Sequence, residues 1–274
     1  MQNIAIIIFV AWLSLTLAQD NNATQTEADS DTLDGRIVGG WDTKIAHFPH
    51  QISLQLNKKH ICGGVIVAPH LILTAAHCVL KHTQPELYAI RAGSSFWESG
   101  GSYVRIKRII PHEHFNLPTH MNNDIALLLL QRPLVYSRDI QAIQLVHPTD
   151  YVAPHAQLFV SGWGSTNAQQ ITTATRLHYT ALVELDHPSC THNYVGSGVV
   201  TATMFCAGSR TGLGDRDSCL GDSGGPLVTN VEGHFKLLGI VSWGLGCASA
   251  QYPGVYTQVS AYGDWLTHLS QSLF

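Results

Sequence analysis

A serine between glycines is the residue in this sequence best suited to chemistry. Ser223 lies in the segment Gly221-Asp222-Ser223-Gly224-Gly225-Pro226, where glycines on both sides allow a sharp turn and bring backbone amides close to a bound molecule. A serine hydroxyl is a weak nucleophile at neutral pH and needs a base and an orienting acid from elsewhere in the chain. A surface turn is the alternative interpretation, so the motif indicates catalysis only if both partners exist.

A histidine and an aspartate are candidates for those partners. His77 comes just after the apolar segment 71–74, so its ring can project from the end of a strand. Asp124 immediately precedes the apolar run 125–130, which could draw its carboxylate into the interior. Either residue alone is a weak signal, because the chain has 16 histidines and an Asp before a strand commonly forms a turn.

The elements that would position these residues are predicted to be β-strands. From Ile37 onward, short apolar or alternating segments are separated by Gly, Pro, Asn and Asp, which is typical of an all-β chain. Strands are predicted at residues 51–56, 65–67, 71–74, 104–110, 125–130, 158–161, 237–243 and 255–259. Helix is predicted only in the last dozen residues, where apolar side chains recur about once per helical turn.

The N-terminal 36 residues have a different character from the rest. An apolar run at residues 4–18 ends in small residues, so residues 1–18 are predicted to be a signal peptide cleaved after Ala18. A membrane anchor is the alternative, but the run is shorter than the roughly 20 apolar residues that span a bilayer. Residues 19–36 are polar and acidic, with a glycosylation sequon at Asn22, and are predicted to be an activation propeptide.

Composition excludes some classes of function. The 15 Lys and Arg residues are scattered and the net charge is −4, which argues against a nucleic-acid-binding surface. An even number of cysteines in a chain predicted to be secreted indicates disulfides, with fifteen pairings open if all are oxidised. The six cysteines are Cys62, Cys78, Cys190, Cys206, Cys219 and Cys247. The sequence therefore predicts an extracellular protein with neither a nucleic-acid nor a membrane partner.

Taken together, the motifs resemble those of the chymotrypsin and trypsin family of serine peptidases. In that family the catalytic residues follow the same chain order, His, Asp and Ser. Further matching motifs are Ile37-Val38-Gly39-Gly40, Cys62-Gly63-Gly64, Ser161-Gly162-Trp163-Gly164, Met204-Phe205-Cys206-Ala207-Gly208, Ser242-Trp243-Gly244 and Pro253-Gly254-Val255-Tyr256. The resemblance covers residues 37–274 and implies a peptidase domain of two six-stranded antiparallel β-barrels with a C-terminal α-helix.

The resemblance implies a role for each candidate residue. Ser223 would attack the scissile carbonyl to form an acyl-enzyme, His77 would move the proton, and Asp124 would orient the imidazole. The amides of Gly221 and Ser223 would form the oxyanion hole. The family pattern also implies the pairs Cys62–Cys78, Cys190–Cys206 and Cys219–Cys247, and no cofactor is expected.

Substrate preference is implied by Asp217, six residues before Ser223. In the family this position is the base of the pocket for the side chain N-terminal to the cut, and an Asp there resembles trypsin, which implies cleavage after Arg or Lys. A solvated loop carboxylate is the alternative. The other positions implied to bind substrate are Ser218, Leu220, Ser242, Trp243, Gly244, Gly254 and Met121.

Activation is implied by the junction at Arg36. Cleavage there would free the amine of Ile37, which in this family pairs with Asp222 and orders the oxyanion hole and the pocket. Arg36 is itself a trypsin-like site, so the sequence fits self-activation as well as activation by another protease.

No metal site is expected. Loop 94–102, where trypsins often bind Ca²⁺, contains only Glu98 as an acidic residue, whereas hard cations need about six oxygen ligands. The segment His112-Glu113-His114 is interpreted as surface residues rather than a zinc site, since no third protein ligand is apparent.

Two other classes of function fit the sequence less well than a protease. A non-catalytic homologue that binds partners usually has a broken triad or pocket, and here every such residue is present. A secreted structural or ligand-carrying barrel does not explain why nucleophile, base, acid and activation site coincide. The expected partners of a monomeric enzyme are protein or peptide substrates with Arg or Lys, an activating protease and protein protease inhibitors.

Overall fold

Short antiparallel strands dominate the computed structural model, which describes residues 38–167 and 170–273. All of these residues belong to one compact unit, Gly35–Phe274. The strands of the first half are β1 (Trp41–Asp42), β2 (Gln51–Leu56), β3 (Lys59–Ala68), β4 (Leu71–Thr74), β5 (Tyr88–Ala92), β6 (Ser102–Pro111), β7 (Ala126–Leu130) and β8 (Gln144–Leu145). Those of the second half are β9 (Gln157–Gly162), β10 (Ser165–Asn167), β11 (Gln170–Thr173), β12 (His178–Glu184), β13 (Met204–Gly208), β14 (Pro226–Val231), β15 (His234–Trp243) and β16 (Gly254–Gln258). The described residues also form the helices α1 (His187–Asn193) and α2 (Gly263–Leu273).

The first six-stranded barrel closes in the order β2-β3-β4-β7-β6-β5. Its strands β4 and β7 are buried along their whole length, which explains why their sequences are continuous apolar runs rather than alternating ones. Ile52, Leu54, Ile72 and Ile90 are among the fully buried side chains at its centre.

The second barrel is closed because β9 pairs with both β12 and β14. Its six strands follow the order β9-β12-β13-β16-β15-β14, while β1 pairs with β12 and β8 adds in parallel to β15. Leu158, Val160, Leu227 and Tyr256 are fully buried within it. The prediction of two six-stranded antiparallel barrels followed by a C-terminal helix is confirmed.

Each of the eight predicted strands matches an observed strand or part of one to within a residue. The prediction that helix is confined to the last dozen residues was wrong, because α1 also forms. Its N-cap is Asp186, whose side chain accepts a hydrogen bond from the Ser189 amide (2.9 Å), with a proline in the first turn. An Asp cap followed by proline is a helix-start signal that was present in the sequence.

Two sequence predictions cannot be compared with the structure. The signal peptide at residues 1–18 and the propeptide at residues 19–36 lie outside the described residues, as does Ile37. Among the residues that are described, no helix is both long enough and apolar enough to cross a membrane.

Candidate active site

The register between β4 and β7 brings His77 and Asp124 together. Thr74 at the end of β4 pairs with Ala126 at the start of β7. His77 follows Thr74 by three residues and Asp124 precedes Ala126 by two, so both leave the barrel at the same edge. His77 lies in a single 3₁₀ turn, Ala76–Cys78. Its Nδ1 is 2.7 Å from Asp124 Oδ2, and its backbone amide donates to Asp124 Oδ1 at 2.9 Å.

The Asp124 carboxylate is completely buried and is compensated by hydrogen bonds. Besides the two donors of His77, the hydroxyl of Ser242 donates to Oδ2 at 2.6 Å. A buried carboxylate with three donors avoids most of the cost of an unpaired charge. Because the carboxylate accepts at Nδ1, that nitrogen holds the imidazole proton and Nε2 is left as the basic atom of His77.

The loop that bears Ser223 is fixed by backbone contacts across the two barrels. The Ser223 carbonyl accepts from the Gly63 amide of β3 at 2.8 Å, and the Gly224 amide donates to the Val241 carbonyl of β15 at 2.8 Å. Gly224 has φ +79°, and a Cβ there would lie 2.2 Å from Thr74 Oγ1. The glycine after the nucleophile is therefore required both by its dihedral angle and by close packing against β4.

Hydrogen bonds orient both peptide groups that flank Gly221. The Leu220 carbonyl accepts from the Ser165 amide at 2.7 Å, and since a trans peptide is planar, the Gly221 N–H points the opposite way. The Gly221 carbonyl is in turn 2.9 Å from His60 Nε2. Fixed amides of this kind can stabilise negative charge that develops on a substrate oxygen.

His60 was not singled out in the sequence, although it contacts the nucleophile loop. Burial lowers its pKa to about 4, against the opposing effect of the Gly221 carbonyl, so the ring is neutral at physiological pH. Its Nε2 must carry the proton donated to Gly221, which leaves Nδ1 to accept from the Ser53 hydroxyl at 2.9 Å. The contact joins residues 161 positions apart, and no local pattern indicates it.

One cleft contains His77, Ser223 and most of the predicted substrate-binding residues. Its volume is about 230 Å³. The predicted residues that line it are Asp217, Ser218, Leu220, Ser242, Trp243, Gly244 and Gly254. Gly221 and Met121 are not among the described lining residues, whereas Val241 and Gly246, which the sequence did not point to, are.

Asp217 presents an uncompensated carboxylate oxygen at this cleft. The residue is 3% exposed, and its Oδ2 accepts from the Ala248 amide at 2.9 Å. Its Oδ1 has no hydrogen-bond partner within the part of the chain that the structure describes. A Cβ at Gly254 would lie 2.8 Å from that oxygen, so a glycine is needed there. Burial raises the pKa of the Asp217 carboxyl to about 7, although hydrogen bonds from Ala248 and Ser218 act in the opposite direction.

Asp222, the residue before Ser223, is completely buried. Its Oδ1 accepts from the Gly164 amide at 2.7 Å and its Oδ2 from the Cys219 amide at 3.0 Å. Burial raises the pKa of its carboxyl to about 6. Arg36 and Ile37 lie outside the described residues, but the next residue, Val38, accepts from the Asp217 amide at 3.3 Å.

The cysteines form three disulfides, which are the pairs that the family resemblance implies. Cys62–Cys78 links β3 to the turn that carries His77, and Cys219–Cys247 joins two walls of the cleft. Cys190–Cys206 connects α1 to β13. Each bridge removes conformational freedom from the unfolded chain and so favours the folded site.

The segment His112-Glu113-His114 lies apart from the cleft. Its three potential ligand atoms are within 4.8 Å of one another, so Glu113 is a third potential ligand that the sequence analysis did not count. The Glu113 carboxylate already accepts from Trp265 Nε1 at 2.9 Å. That these are surface residues without a metal stays a prediction.

Comparison with known proteins agrees with these motifs. The family model described as Trypsin matches residues 37–266. Trypsin alpha of Drosophila melanogaster is 40% identical over 242 residues, which are 88% of this chain and 90% of that protein. Trypsin alpha-4 of Lucilia cuprina is 43% identical over 242 residues, with 88% and 90% covered. A vitellin-degrading protease of Bombyx mori is 40% identical over 233 residues, 85% of each chain.

Proposed function

The chain belongs to the trypsin family and is a serine endopeptidase, a hydrolase of protein substrates, and from this premise we propose that it cleaves peptide bonds after Arg or Lys. The observation that carries the proposal is the buried Oδ1 of Asp217, a residue of the cleft, which has no hydrogen-bond partner among the described residues. A guanidinium or ammonium group would give this oxygen a charged partner. A neutral side chain would leave it unpaired, at a cost of several kcal/mol.

Three residues perform the chemistry in this proposal. The Ser223 hydroxyl attacks the scissile carbonyl while His77 Nε2 takes its proton, and the same nitrogen later returns the proton to the leaving amine. Asp124 holds the imidazole by the 2.7 Å contact at Nδ1 and stabilises the imidazolium. Water then hydrolyses the acyl-enzyme by the same proton route.

Backbone amides of Gly221 and Ser223 stabilise the oxyanion of each tetrahedral intermediate. Each such donor contributes about 2.7–4 kcal/mol of transition-state stabilisation. The proposal is supported by the two hydrogen bonds that fix the peptide groups around Gly221, one from Ser165 and one from His60. Donors fixed in advance need no reorganisation during the reaction.

We further propose that the enzyme is a zymogen activated by cleavage after Arg36. The new amine of Ile37 would pair with Asp222. Burial raises the pKa of this carboxyl to about 6, so a nearby cation would stabilise its ionised form. Support comes from the contact between Val38 and Asp217, which brings the chain directly after Ile37 to the segment that leads into Asp222. Arg36 itself fits the proposed specificity.

Secretion is the third part of the proposal. Residues 1–18 have the composition of a signal peptide, and three disulfides are typical of an oxidising compartment. The mature domain would begin at Ile37 and act as a monomer on extracellular proteins. Protein protease inhibitors that present Arg or Lys would block it.

The experiment compares the precursor before and after cleavage at Arg36 on matched Arg-, Lys- and Phe-amide substrates. Activity should appear only after the cut, be confined to the Arg and Lys substrates, and vanish in Ser223→Ala. Asp217→Ser should lower kcat/KM on the Arg substrate by about 10²–10³, because it removes one partner of a buried charge pair. Activity that survives Ser223→Ala, or a preference for the Phe substrate, would refute the proposal.

A further inference from the structure

The segment just after the proposed cleavage site packs against the residues that lead into Asp217. The Val38 carbonyl accepts from the Asp217 amide at 3.3 Å. Gly39 has φ +69°, and a Cβ there would lie 2.0 Å from the Asp215 carbonyl oxygen, so a glycine is needed for the two backbones to approach this closely. The two segments therefore meet backbone to backbone beside the proposed specificity residue.

A cation–π contact joins side chains of the same two segments. The guanidinium carbon of Arg216 lies over the Trp41 ring, 4.8 Å from its centroid, which is within the range where an aromatic ring attracts a cation. A Cβ at Gly39 would lie 2.8 Å from Arg216 Cγ, so the aliphatic stem of the arginine packs on the glycine. Arg216 therefore contacts the segment after the cleavage site with both its stem and its charge.

The Trp41 ring is held by the second barrel. Trp41 of β1 lies opposite Tyr179 of β12 in the strand register, and their ring centroids are 5.6 Å apart. Tyr179 in turn contacts Phe48 and Phe159, whose ring centroids are 5.5 and 6.4 Å away. Because several rings fix the tryptophan, its contact with Arg216 restrains the arginine.

Arg216 and Asp217 are adjacent in the chain but lie in different surroundings. Asp217 is 3% exposed and lines the cleft, whereas Arg216 and Trp41 are not among its described lining residues and are both at least partly exposed. An ionised carboxylate loses hydration on burial, so Asp217 gains solvation whenever its segment moves outward. A contact that holds Arg216 opposes this movement and favours the position in which Asp217 lines the cleft.

We propose that the contact between Trp41 and Arg216 positions Asp217, which makes Trp41 and Arg216 positioning residues for the recognition of an Arg or Lys side chain. This inference rests on the proposed preference for those side chains. Without the contact, a smaller fraction of molecules holds Asp217 in the competent position, and the apparent affinity for a cation falls with that fraction. The loss of a partly exposed cation–π contact corresponds to a change of about two- to fivefold.

The test measures how tightly benzamidine binds to a Ser223→Ala parent that has been cleaved after Arg36. Benzamidine is a small planar amidinium that can pair with a carboxylate. Trp41→Leu should weaken its binding about two- to fivefold, whereas Trp41→Tyr, which keeps an aromatic ring, should bind nearly as tightly as the parent. Arg216→Met, which keeps the stem without the charge, should weaken binding by a similar factor. The two losses should not add in the double variant, because each removes the same contact.

Catalysis by the active enzyme gives a second readout. Trp41→Leu should raise KM for an Arg-amide substrate by the same factor and leave kcat unchanged, since molecules that bind substrate keep their catalytic residues in place. A role in stability alone would lower the free energy of unfolding without changing KM or the affinity of the folded protein for benzamidine. Arg216→Met tests the same contact if Trp41→Leu does not fold.

The control is a cation–π contact in the first barrel, where the guanidinium carbon of Arg91 is 5.4 Å from the centroid of the Tyr103 ring. Tyr103→Leu should leave the affinity for benzamidine unchanged. Equal affinity of the parent, Trp41→Leu and Arg216→Met would overturn the inference, and so would an equal loss in Tyr103→Leu. If the parent does not bind benzamidine and the active enzyme does not cleave the Arg substrate, the proposed specificity is wrong and the inference fails with it.

Discussion

Two buried carboxylates beside Ser223 differ in their hydrogen-bond partners. Both oxygens of Asp222 accept backbone amides, whereas Asp217 has one amide and one orphan oxygen within the described residues. Under the proposed specificity, the cation of an Arg or Lys substrate would pair with this oxygen. The free enzyme therefore holds an acidic group whose ionised form is unfavourable until substrate binds, and this should be measurable as a pH-dependent stability.

Asp217→Asn should stabilise the Ser223→Ala precursor at neutral and alkaline pH. The folded pKa of about 7 lies above the ordinary value of 3.8, so the native state keeps its proton to higher pH than the unfolded chain. The free energy of unfolding of the parent therefore falls as pH rises from about 4 to about 7, while the Asn side chain does not titrate. The variant should gain about 2–4 kcal/mol at pH 8 and little near pH 4 in urea unfolding.

The control for this prediction is Asp139→Asn, at a partly exposed aspartate. It should change the free energy of unfolding by no more than about 0.5 kcal/mol at either pH. A stabilisation by Asp217→Asn that is constant between pH 4 and pH 8 would contradict the assigned cause.

At the scale of elements, the end of β4 and the nucleophile loop are packed backbone against backbone. Gly224 lies against Thr74, Ala75 and the Gly63 carbonyl, all within 3.0 Å of where its Cβ would be. The glycine lets the Ser223 loop approach the strand from which His77 follows. The proposed nucleophile, Ser223, and the proposed base, His77, are thus positioned by one contact between a turn and a strand end.

Gly224→Ala should destabilise the protein by about 3 kcal/mol, because strain at positive φ and overpacking against β4 add together. Its kcat should also fall, since the serine loop must shift away from His77. Gly233→Ala is the matched variant: its φ is +86° and nothing lies within 4 Å of the added Cβ. It should cost only about 1 kcal/mol and leave kcat unchanged. Equal losses of stability in the two variants would show that the contact with β4 is unimportant.

At the scale of the whole molecule, the site depends on how the two barrels are joined. Asp124 belongs to the first barrel, yet its side chain accepts from Ser242 of β15, and its carbonyl accepts from Thr257 of β16 at 2.9 Å. The Ser161 hydroxyl of β9 likewise donates to the Gln51 side chain of β2 at 2.7 Å. Asp124, the proposed acid of the triad, is therefore held in place partly by the barrel that carries Ser223.

Thr257→Val should lower both stability and rate, since it keeps the volume but leaves the Asp124 carbonyl without its donor. The expected loss is about 1–2 kcal/mol in unfolding free energy and roughly tenfold in kcat with little change in KM. Thr229→Val is the control, because Thr229 is also buried but bonds within the second barrel, to the Gln157 carbonyl. It should leave kcat unchanged, and a similar fall in kcat for both variants would argue against a role for the junction between the barrels.

The sequence by itself determined the family and eight of the sixteen strands that the described residues form. Strand positions follow from the local alternation or continuity of apolar residues, which is why the segments 51–56 and 71–74 agree with β2 and β4 at both ends. The helix α1 was missed although its cap was in the sequence, because its seven residues are too short for a helical repeat to be evident. Motifs such as Gly221 to Pro226 identify the family because glycines and the nucleophile must be adjacent in the chain to form the turn.

Only the tertiary structure decided which distant groups meet. The neutral His60 under the Gly221 carbonyl and the Asp217 oxygen that lacks a partner among the described residues both depend on residues far apart in the chain. A histidine in a strand has the same local sequence whether it faces water or a buried carbonyl. Its environment is set by the closure and packing of the barrels, since burial and hydrogen-bond partners are properties of the folded surroundings rather than of neighbouring residues.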